Sequence, residues 1–133
     1  MESPRAREAP LQRLDEDTVH VFSADELSAT LRGEPEYRSN RHTGITLMKT
    51  DELRVVLAAA EAGATLESHV VHGPATIFVL QGRLEIETQD RAHRARRGDL
   101  VVLPRGETRR IVCSEQSTFL LALSPSAPAG PTA

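Results

Sequence analysis

The order of hydrophobic and polar positions divides the chain into a short helical segment followed by many short strands. The four residues SADE, which begin at Ser23, form a capping box in which the Ser23 hydroxyl accepts from the Glu26 amide while the Glu26 carboxylate reaches back. Leu27 and Leu31 then share one helical face, and Gly33 is a stop signal. The pattern therefore predicts one short helix that ends near Gly33.

From Gly44 onward, the helical period gives way to brief apolar or alternating runs. Turn residues separate these runs about every 8 to 12 positions, a spacing typical of β-sandwiches and barrels. The predicted strands are Ile45–Lys49, Leu53–Ala60, Thr65–Val71, Thr76–Leu80, Leu84–Thr88, Arg91–Ala95, Leu100–Leu103, Arg109–Cys113 and Thr118–Leu123. We therefore expect an all-β domain, a small antiparallel barrel with a short N-terminal helix.

Length and composition indicate a single domain with disordered ends. A chain of 133 residues with 39% hydrophobic residues has room for one core and an ordinary globular composition. Residues 1–17 and 125–133 are rich in proline, alanine and polar residues without periodicity, so we expect disordered tails there. Residues 18–43 are expected to form an N-terminal segment that carries the helix, and residues 44–124 the single barrel.

Charge and cysteine content narrow the classes of partner and compartment. The net charge of −3 gives no overall positive field for a nucleic-acid backbone, so no nucleic-acid partner is expected. No apolar run is long enough for a membrane span or a signal peptide, so no membrane partner is expected. Cys113 is the only cysteine and has apolar neighbours, which favours a buried thiol in a reducing compartment. The sequence thus predicts a cytoplasmic protein.

The remaining histidines and the basic residues of one hairpin have ordinary structural explanations. The seven residues RAHRARR at 91–97 contain His93 and are predicted to form a solvated hairpin, because no aromatic residues are interleaved to stack on bases. His20 and His42 precede the predicted barrel and are expected at the surface or at a strand edge.

Two motifs in the strand region have a regular spacing. In the first, a glycine is followed after five residues by a histidine; in the second, a glycine is followed after five residues by Pro-x-Gly. The residues of these motifs are Gly63, His69, Gly82, Gly98, Pro104 and Gly106. Together with the segments FVLQGRLE at 78–85 and RGDLVVLPRG at 97–106, they resemble the cupin family over residues 53–123. The resemblance implies a small antiparallel jelly-roll barrel.

The same resemblance implies where a metal would bind. In metal-bearing cupins, two histidines and a glutamate of the first motif and a histidine of the second hold the ion. His69 matches the first histidine, but Val71 (or Val70), Ala75 and Arg109 occupy the other three positions. A guanidinium stays protonated and only donates, so an inward-pointing Arg109 would repel a divalent metal and favour an anion. The full ligand set is absent, and no cofactor is expected.

His72 leaves an incomplete metal site open as an alternative. With side chains alternating along a strand, His69 and His72 point to opposite faces, unless the Gly73–Pro74 turn breaks the alternation. A divalent transition metal held by His69 and His72 alone would be bound weakly, because catalytic zinc sites usually have three protein ligands. The competing interpretation is that His69 is a hydrogen-bonded pocket histidine and that His72 lies at the rim.

The preferred functional hypothesis is a small-molecule binding protein with a degenerate metal site. A small polar or anionic ligand would lie inside the barrel against residues predicted to bind it: His69, Arg109, Gln81, Ile77 and Val79. The alternative is a metal-dependent cupin enzyme of the isomerase, epimerase or dioxygenase type that uses His69 and His72. Because one fold hosts many activities, the sequence identifies no catalytic residue and no substrate.

A homodimer is the expected assembly. Phe78 and Leu80 alternate on one strand and form an apolar row that a second copy could cover, and two-fold interfaces are the commonest kind. A third hypothesis is a structural or regulatory dimer without a ligand, whose barrel would be filled by its own side chains.

Overall fold

The computed structural model describes residues 7–8, 18–67, 73–105 and 108–124. Its elements are β1 (Arg7–Glu8), α1 (Ala24–Arg32), α2 (Pro35–Asn40), β2 (His42–Lys49), β3 (Arg54–Ala60), β4 (Thr65–Leu66), β5 (Ala75–Gln81), β6 (Arg83–Thr88), β7 (Ala92–Arg96), β8 (Leu100–Leu103), β9 (Thr108–Cys113) and β10 (Ser117–Leu123). Each of the nine predicted strands has a counterpart among them.

The described strands form two sheets that enclose one barrel. The larger sheet has the order β1-β2-β3-β10-β5-β8, and the smaller sheet has the order β4-β9-β6-β7. Apart from the parallel contact of β1 with β2, the pairs are antiparallel. The chain crosses between the sheets at β3–β4 and β5–β6, as in a jelly roll. The expected all-β antiparallel jelly-roll barrel is confirmed.

The barrel core consists of apolar, mostly aliphatic side chains from the inner faces of both sheets. Its largest fully buried members include Phe119, Ile77, Leu84 and Ile86. The short side chains Ala58 and Ala60 of β3 belong to the same cluster, which lets the sheets approach closely there. Removal of this apolar surface from water stabilises the fold by roughly 25 cal/mol per Å².

Two helices cover part of the outer face of the larger sheet. The Ser23 Oγ accepts from the Glu26 amide at 3.1 Å, and Gly33 caps the other end of α1, so both predicted ends are confirmed. Leu31 of α1 packs with Ile45 and Leu57 in a second apolar cluster. Neither helix in the described ranges is long and apolar enough to cross a membrane.

The structure adds one helix and lengthens several strands, β2 most of all, relative to the sequence prediction. The helix α2 begins with Pro35 at its first turn, where the missing amide is not needed, and ends at Arg41, whose φ of 72° breaks the helix. The strand β2 begins at His42 rather than Ile45, because His42 pairs with Ala60 of β3. The expected surface or strand-edge position of His42 is thus refined: it opens a barrel strand and is half-buried.

The predicted tails lie outside the described residues, with one exception. Arg7 and Glu8 form β1, whose backbone pairs in parallel with Ile45 and Thr46 of β2. The division of the chain into tails, N-terminal segment and barrel stays a prediction.

The barrel has two ends, which the strand order defines. At the first, which we call the closed end, the turn at Gly82 joins β5 to β6 and the side chain of Ser117 is fully buried. At the second, which we call the Arg54 end, β3, β5, β7 and β9 begin and β6, β8 and β10 end. The backbone pairs Arg54–Leu123 and Leu123–Ala75 mark this end in the larger sheet, and Thr88–Thr108 marks it in the smaller one.

Candidate functional site at the Arg54 end

The two histidines of the metal hypothesis lie outside the described residues. His69 and His72 fall in the segment 68–72, between β4 and β5, and Gly106 and Glu107 fall outside as well. Because β4 pairs with β9 and β5 begins at Ala75, the chain enters and leaves the segment 68–72 next to strands that form the Arg54 end. The described residues of this end therefore define the setting of the candidate site.

Two of the predicted ligand-binding residues are inside the barrel. Ile77 is 1% exposed and Val79 is fully buried, and both belong to the barrel core. Their side chains make the inner wall of the barrel next to the Arg54 end apolar. Ala75, which occupies the position of the metal-binding glutamate in the resemblance, lies on the same face and is also buried. Its methyl group offers no ligand atom.

Gln81 does not share the inner face with Ile77 and Val79, which corrects the sequence-based placement. Thr118 pairs with Gln81 while Phe119 pairs with Val79, so one residue of β5 is bulged out between these pairs. The bulge breaks the simple alternation and places Gln81 opposite Thr118, whose hydroxyl accepts from Arg32 of the covering helix. Gln81 is accordingly exposed at the closed end.

A second bulge changes the expected position of Arg109. Arg110 pairs with Glu87 and Thr108 pairs with Thr88, so Arg109 is the extra residue between them, and it is exposed. The Arg110 Nε donates to Glu87 Oε1 at 2.7 Å, and this hydrogen bond raises the pKa of Arg110. Arg109 has no such partner in the described ranges. Its guanidinium is accessible at the Arg54 end. Because Arg109 lies in a bulge, the alternation of side chains along β9 does not direct it into the barrel.

The bulge gives Thr108 the position facing the interior. Thr88 follows Leu84 and Ile86 on the inner face of β6, and Thr108 lies directly opposite Thr88. The Thr108 Oγ1 is buried and has no hydrogen-bond partner in the described part of the chain. The Thr88 Oγ1 lies 3.3 Å from His93 Nε2, so a histidine that the sequence assigned to a solvated hairpin reaches this end while remaining exposed.

Arg54 is a charged residue on an inner face, and sequence reasoning missed it. It begins β3 and shares the face of Val56, Ala58 and Ala60, of which the two alanines lie in the barrel core. Its side chain is partly buried, and its Nε is buried without a partner among the described residues. The available signal was that Arg54 alternates with the small residues of β3. The apolar run after Arg54 is continuous, however, so the sequence gave no reason to assign Arg54 to one face of the strand.

Buried polar atoms without a partner fall into two groups in the described structure. Three of them, His20 Nε2, Arg32 Nε and Tyr37 OH, belong to the N-terminal segment. Arg32 is nevertheless anchored, because its Nη2 donates to Ser117 O at 2.9 Å and to Thr118 Oγ1 at 3.0 Å. The other two, Arg54 Nε and Thr108 Oγ1, both lie at the Arg54 end. Native proteins pair most buried polar groups, so these two atoms at one end of the barrel need an explanation.

The described residues do not fit a metal of the kind that metal-bearing cupins hold. Among them, no group of three or more histidine, cysteine or acidic side chains comes together. At two of the four ligand positions that the resemblance implies, the structure places a buried methyl group, Ala75, and an unpaired cation, Arg109. Cys113 is no substitute ligand, because its side chain is fully buried and burial raises its pKa to about 11.

The apolar surface expected for a dimer is present in altered form. Leu80 packs against the cluster beneath the helices and is half-buried, so it is not part of an open row. Phe78 is 37% exposed and lies beside β8, whose Leu100 and Val102 are 59% and 61% exposed. These three side chains form one apolar patch at the edge of the larger sheet.

Comparisons with solved structures support the fold. An uncharacterized conserved protein with a double-stranded beta-helix domain from Klebsiella pneumoniae aligns with a TM-score of 0.66 and 24% identity over 88% of this chain and 93% of that chain. A cupin superfamily protein from Desulfitobacterium hafniense aligns with a TM-score of 0.64 and 16% identity over 89% and 100%. KdgF from Halomonas sp. aligns with a TM-score of 0.56 and 25% identity over 65% and 80%.

Comparison of the sequence with family models gives the family directly. No curated protein matches the sequence. The model described as the cupin domain matches residues 53–123, which is more than half of the 133-residue chain. This range contains both glycine motifs and runs from the end of the β2–β3 turn to the last residue of β10. The chain belongs to the cupin family.

Proposed function

We propose that the barrel binds a small anionic molecule at the Arg54 end, with Arg54 as its principal anchor. The observation that carries the proposal is the buried Nε of Arg54 on the inner face of β3, which has no partner among the described residues. Leaving a buried donor unpaired costs about 1 to 3 kcal/mol, and more for a charged group. A ligand carboxylate or phosphate oxygen would remove that cost and gain a charge-assisted hydrogen bond.

The surrounding residues suit a ligand with one charged end and an apolar body. Thr108 Oγ1 supplies a second unpaired polar atom, and Arg109 supplies an accessible cation at the same end. Ile77 and Val79 form the apolar wall beyond them. His69, the retained histidine of the first motif, is proposed to complete the polar set. A mostly apolar pocket with a few polar groups is the common form of a small-molecule site.

Substitution of Arg54 tests this proposal. We expect a panel of small carboxylates and sugar phosphates, screened by calorimetry, to contain a ligand whose affinity falls at least about tenfold in Arg54→Met. The matched control is Arg97→Met, which removes an exposed arginine outside the barrel and should leave that affinity unchanged. Equal losses in both variants would show nonspecific attraction and would refute the anchor.

The metal content of the same preparations separates the proposal from the enzyme alternative. Elemental analysis of untagged protein should show no stoichiometric transition metal in the wild type. A stoichiometric ion that is lost in His69→Ala would replace the proposal by the alternative of a metal-dependent isomerase, epimerase or dioxygenase.

We also infer that the protein is a homodimer that covers the apolar patch of Phe78, Leu100 and Val102. Support comes from the neighbouring part of the same outer face, which the chain's own helices cover, and from the common oligomerisation of cupins. Sedimentation at micromolar concentration should show a dimer for the wild type and a monomer for Leu100→Asp. The control Leu53→Asp changes a leucine that is 38% exposed outside the patch and should stay dimeric. A wild-type monomer would contradict the inference.

The buried free thiol of Cys113 supports a cytoplasmic location.

A further inference from the structure

A groove on the outer side of the smaller sheet brings together three arginines. It encloses about 480 Å³ between β6, β7 and the two turns that follow β7 and β9. We call it the arginine groove; its polar lining residues are Arg83, Arg94, Arg96, Glu85, Asp99 and Ser114. On β6, Leu84 and Ile86 face the barrel core, whereas Arg83 and Glu85 alternate with them and face outward. The groove is therefore separated from the Arg54 end by the sheet.

The strand register sets two of these cations directly against each other. Arg83 of β6 is the backbone partner of Arg96 of β7, and opposite residues on neighbouring strands lie on the same face. Arg94, two positions before Arg96, shares that face and lies opposite Glu85. Like charges placed directly opposite each other destabilise a sheet. Arg83 and Arg96 therefore repel each other, and the ion pair of Arg83 with Glu115 reduces this repulsion without involving Arg96.

Two carboxylates near the guanidinium groups of Arg94 and Arg96 already have other partners. Asp99 Oδ2 accepts from the backbone amide of Arg96 at 2.9 Å and so stabilises the turn rather than neutralising the Arg96 guanidinium. Glu115 Oε2 lies 3.2 Å from Arg83 Nε. In the described ranges, the guanidinium groups of Arg94 and Arg96 make no hydrogen bond or ion pair. These two planar, permanently charged donor groups face the same groove with their hydrogen-bonding capacity unused.

We propose that the arginine groove binds a small phosphate-bearing molecule. Its volume is within the range of small-molecule sites, and guanidinium groups match the geometry of phosphate oxygens. The described lining contains no aromatic ring on which a nucleic-acid base could stack, and the net charge of −3 opposes binding of a long polyanion. A compact phosphate would instead neutralise the repulsion between Arg83 and Arg96.

A pair of double variants tests this proposal with pyrophosphate and citrate as probes. Calorimetry at low salt should show pyrophosphate binding to the wild type that weakens at least about tenfold in Arg94→Gln/Arg96→Gln. The control Arg91→Gln/Arg97→Gln removes the same charge from the same hairpin outside the groove and should keep the wild-type affinity. Equal weakening in both variants, or no pyrophosphate binding to the wild type, would overturn the proposal. Citrate binding as tightly as pyrophosphate would overturn the preference for phosphate.

Two further measurements distinguish this groove from the barrel site and from a structural role. Pyrophosphate binding that weakens in Arg54→Met but not in Arg94→Gln/Arg96→Gln would assign the phosphate to the barrel and overturn the proposal. Without ligand and at low salt, Arg96→Gln should raise the melting temperature by about 1 to 3 °C, since it removes the repulsion with Arg83. A lower melting temperature would show that Arg96 stabilises the fold and would contradict a binding role.

Discussion

The two ends of the barrel differ in how many hydrogen bonds their buried polar groups make. At the closed end, the buried Ser117 Oγ donates to Glu115 O at 2.7 Å and accepts from the Arg83 amide at 3.2 Å. Arg32 of α1 donates to Ser117 O and Thr118 Oγ1 across the same end. Hydrogen bonds therefore join α1, the β5–β6 turn and β10 there.

At the Arg54 end, by comparison, buried polar atoms of the described residues lack hydrogen-bond partners. Arg54 Nε and Thr108 Oγ1 are buried there without partners in the described part of the chain, and Arg109 is held in a bulge. Both ends contain arginine and hydroxyl side chains, so composition does not account for the difference. The closed end therefore stabilises the fold, whereas the Arg54 end has the donors that the ligand proposed above would pair. Four substitutions test that division.

The largest effect is expected at Gly82, in the turn of the closed end. Gly82 has φ of +90°, and an added methyl group would overlap Ser117 Oγ and the backbone carbonyl oxygen of Gln116. Gly82→Ala should lower the free energy of unfolding by about 3 kcal/mol or more, because the overlap adds to the strain of a positive φ. Urea unfolding measures it.

Gly98 provides the matched control for that prediction. Its φ is +89°, but an added methyl group would meet no atom within 4 Å. Gly98→Ala should therefore cost only the backbone strain, about 1 to 2 kcal/mol. Equal losses at Gly82 and Gly98 would mean that the closed end is not tightly packed around its turn.

The second effect concerns the hydroxyl at the centre of the closed end. Ser117→Ala should lower the free energy of unfolding by about 1 to 3 kcal/mol, because the part-buried Arg83 amide would lose its acceptor. Ser114→Ala is the control, since its exposed hydroxyl makes a single long bond of 3.5 Å to Arg83 O. Thermal and urea unfolding should show a clearly larger loss of stability for Ser117→Ala than for Ser114→Ala. Similar small losses in both variants would argue against a stabilising hydrogen-bond network.

The sequence predicted the fold well because its signals are local. Alternation and turn residues located all nine predicted strands, and Ser23 and Gly33 marked the ends of α1. Helix α2 was missed because it has only six residues, Pro35–Asn40, too few for a period to emerge. Its end depends on a positive φ at an arginine, which no residue preference indicates.

The candidate site was predicted less well because it depends on register. Counting alternate residues placed Ile77 and Val79 correctly inside the barrel. Alternation failed for Gln81, because one residue of β5 is bulged out beside it. The motif match that pointed to Arg109 could not show that this residue forms a bulge and is exposed. Arg54 was overlooked because its importance lies in an unpaired atom, a property that only side-chain packing can show.

The third effect should have the opposite sign from the first two. Arg54→Met removes a buried donor that has no partner while keeping an apolar chain of similar length, so stability should be unchanged or rise by up to about 1 kcal/mol. Arg32→Met at the closed end, which loses two hydrogen bonds, should instead lower stability by about 1 to 3 kcal/mol. A comparable loss in Arg54→Met would contradict the distinction between the two ends.

The smallest effect tests burial of a titratable group at the closed end. His42 pairs with Ala60, and burial lowers the pKa of its imidazole from the ordinary value of 6.5. The unfolded chain then binds the proton more readily than the folded chain. The His42 contribution is therefore fully present above pH 6.5 and is lost as the pH falls through the lower folded pKa.

Replacement of the imidazole should remove this dependence. Urea unfolding between about pH 8 and about pH 5 should show a smaller decline for His42→Gln than for the wild type. The difference between the two proteins near pH 8 serves as the control, because the imidazole is neutral there in both states and only packing changes. Parallel curves over the whole range would show that His42 titrates as if exposed, and that the closed end does not exclude water from the start of β2.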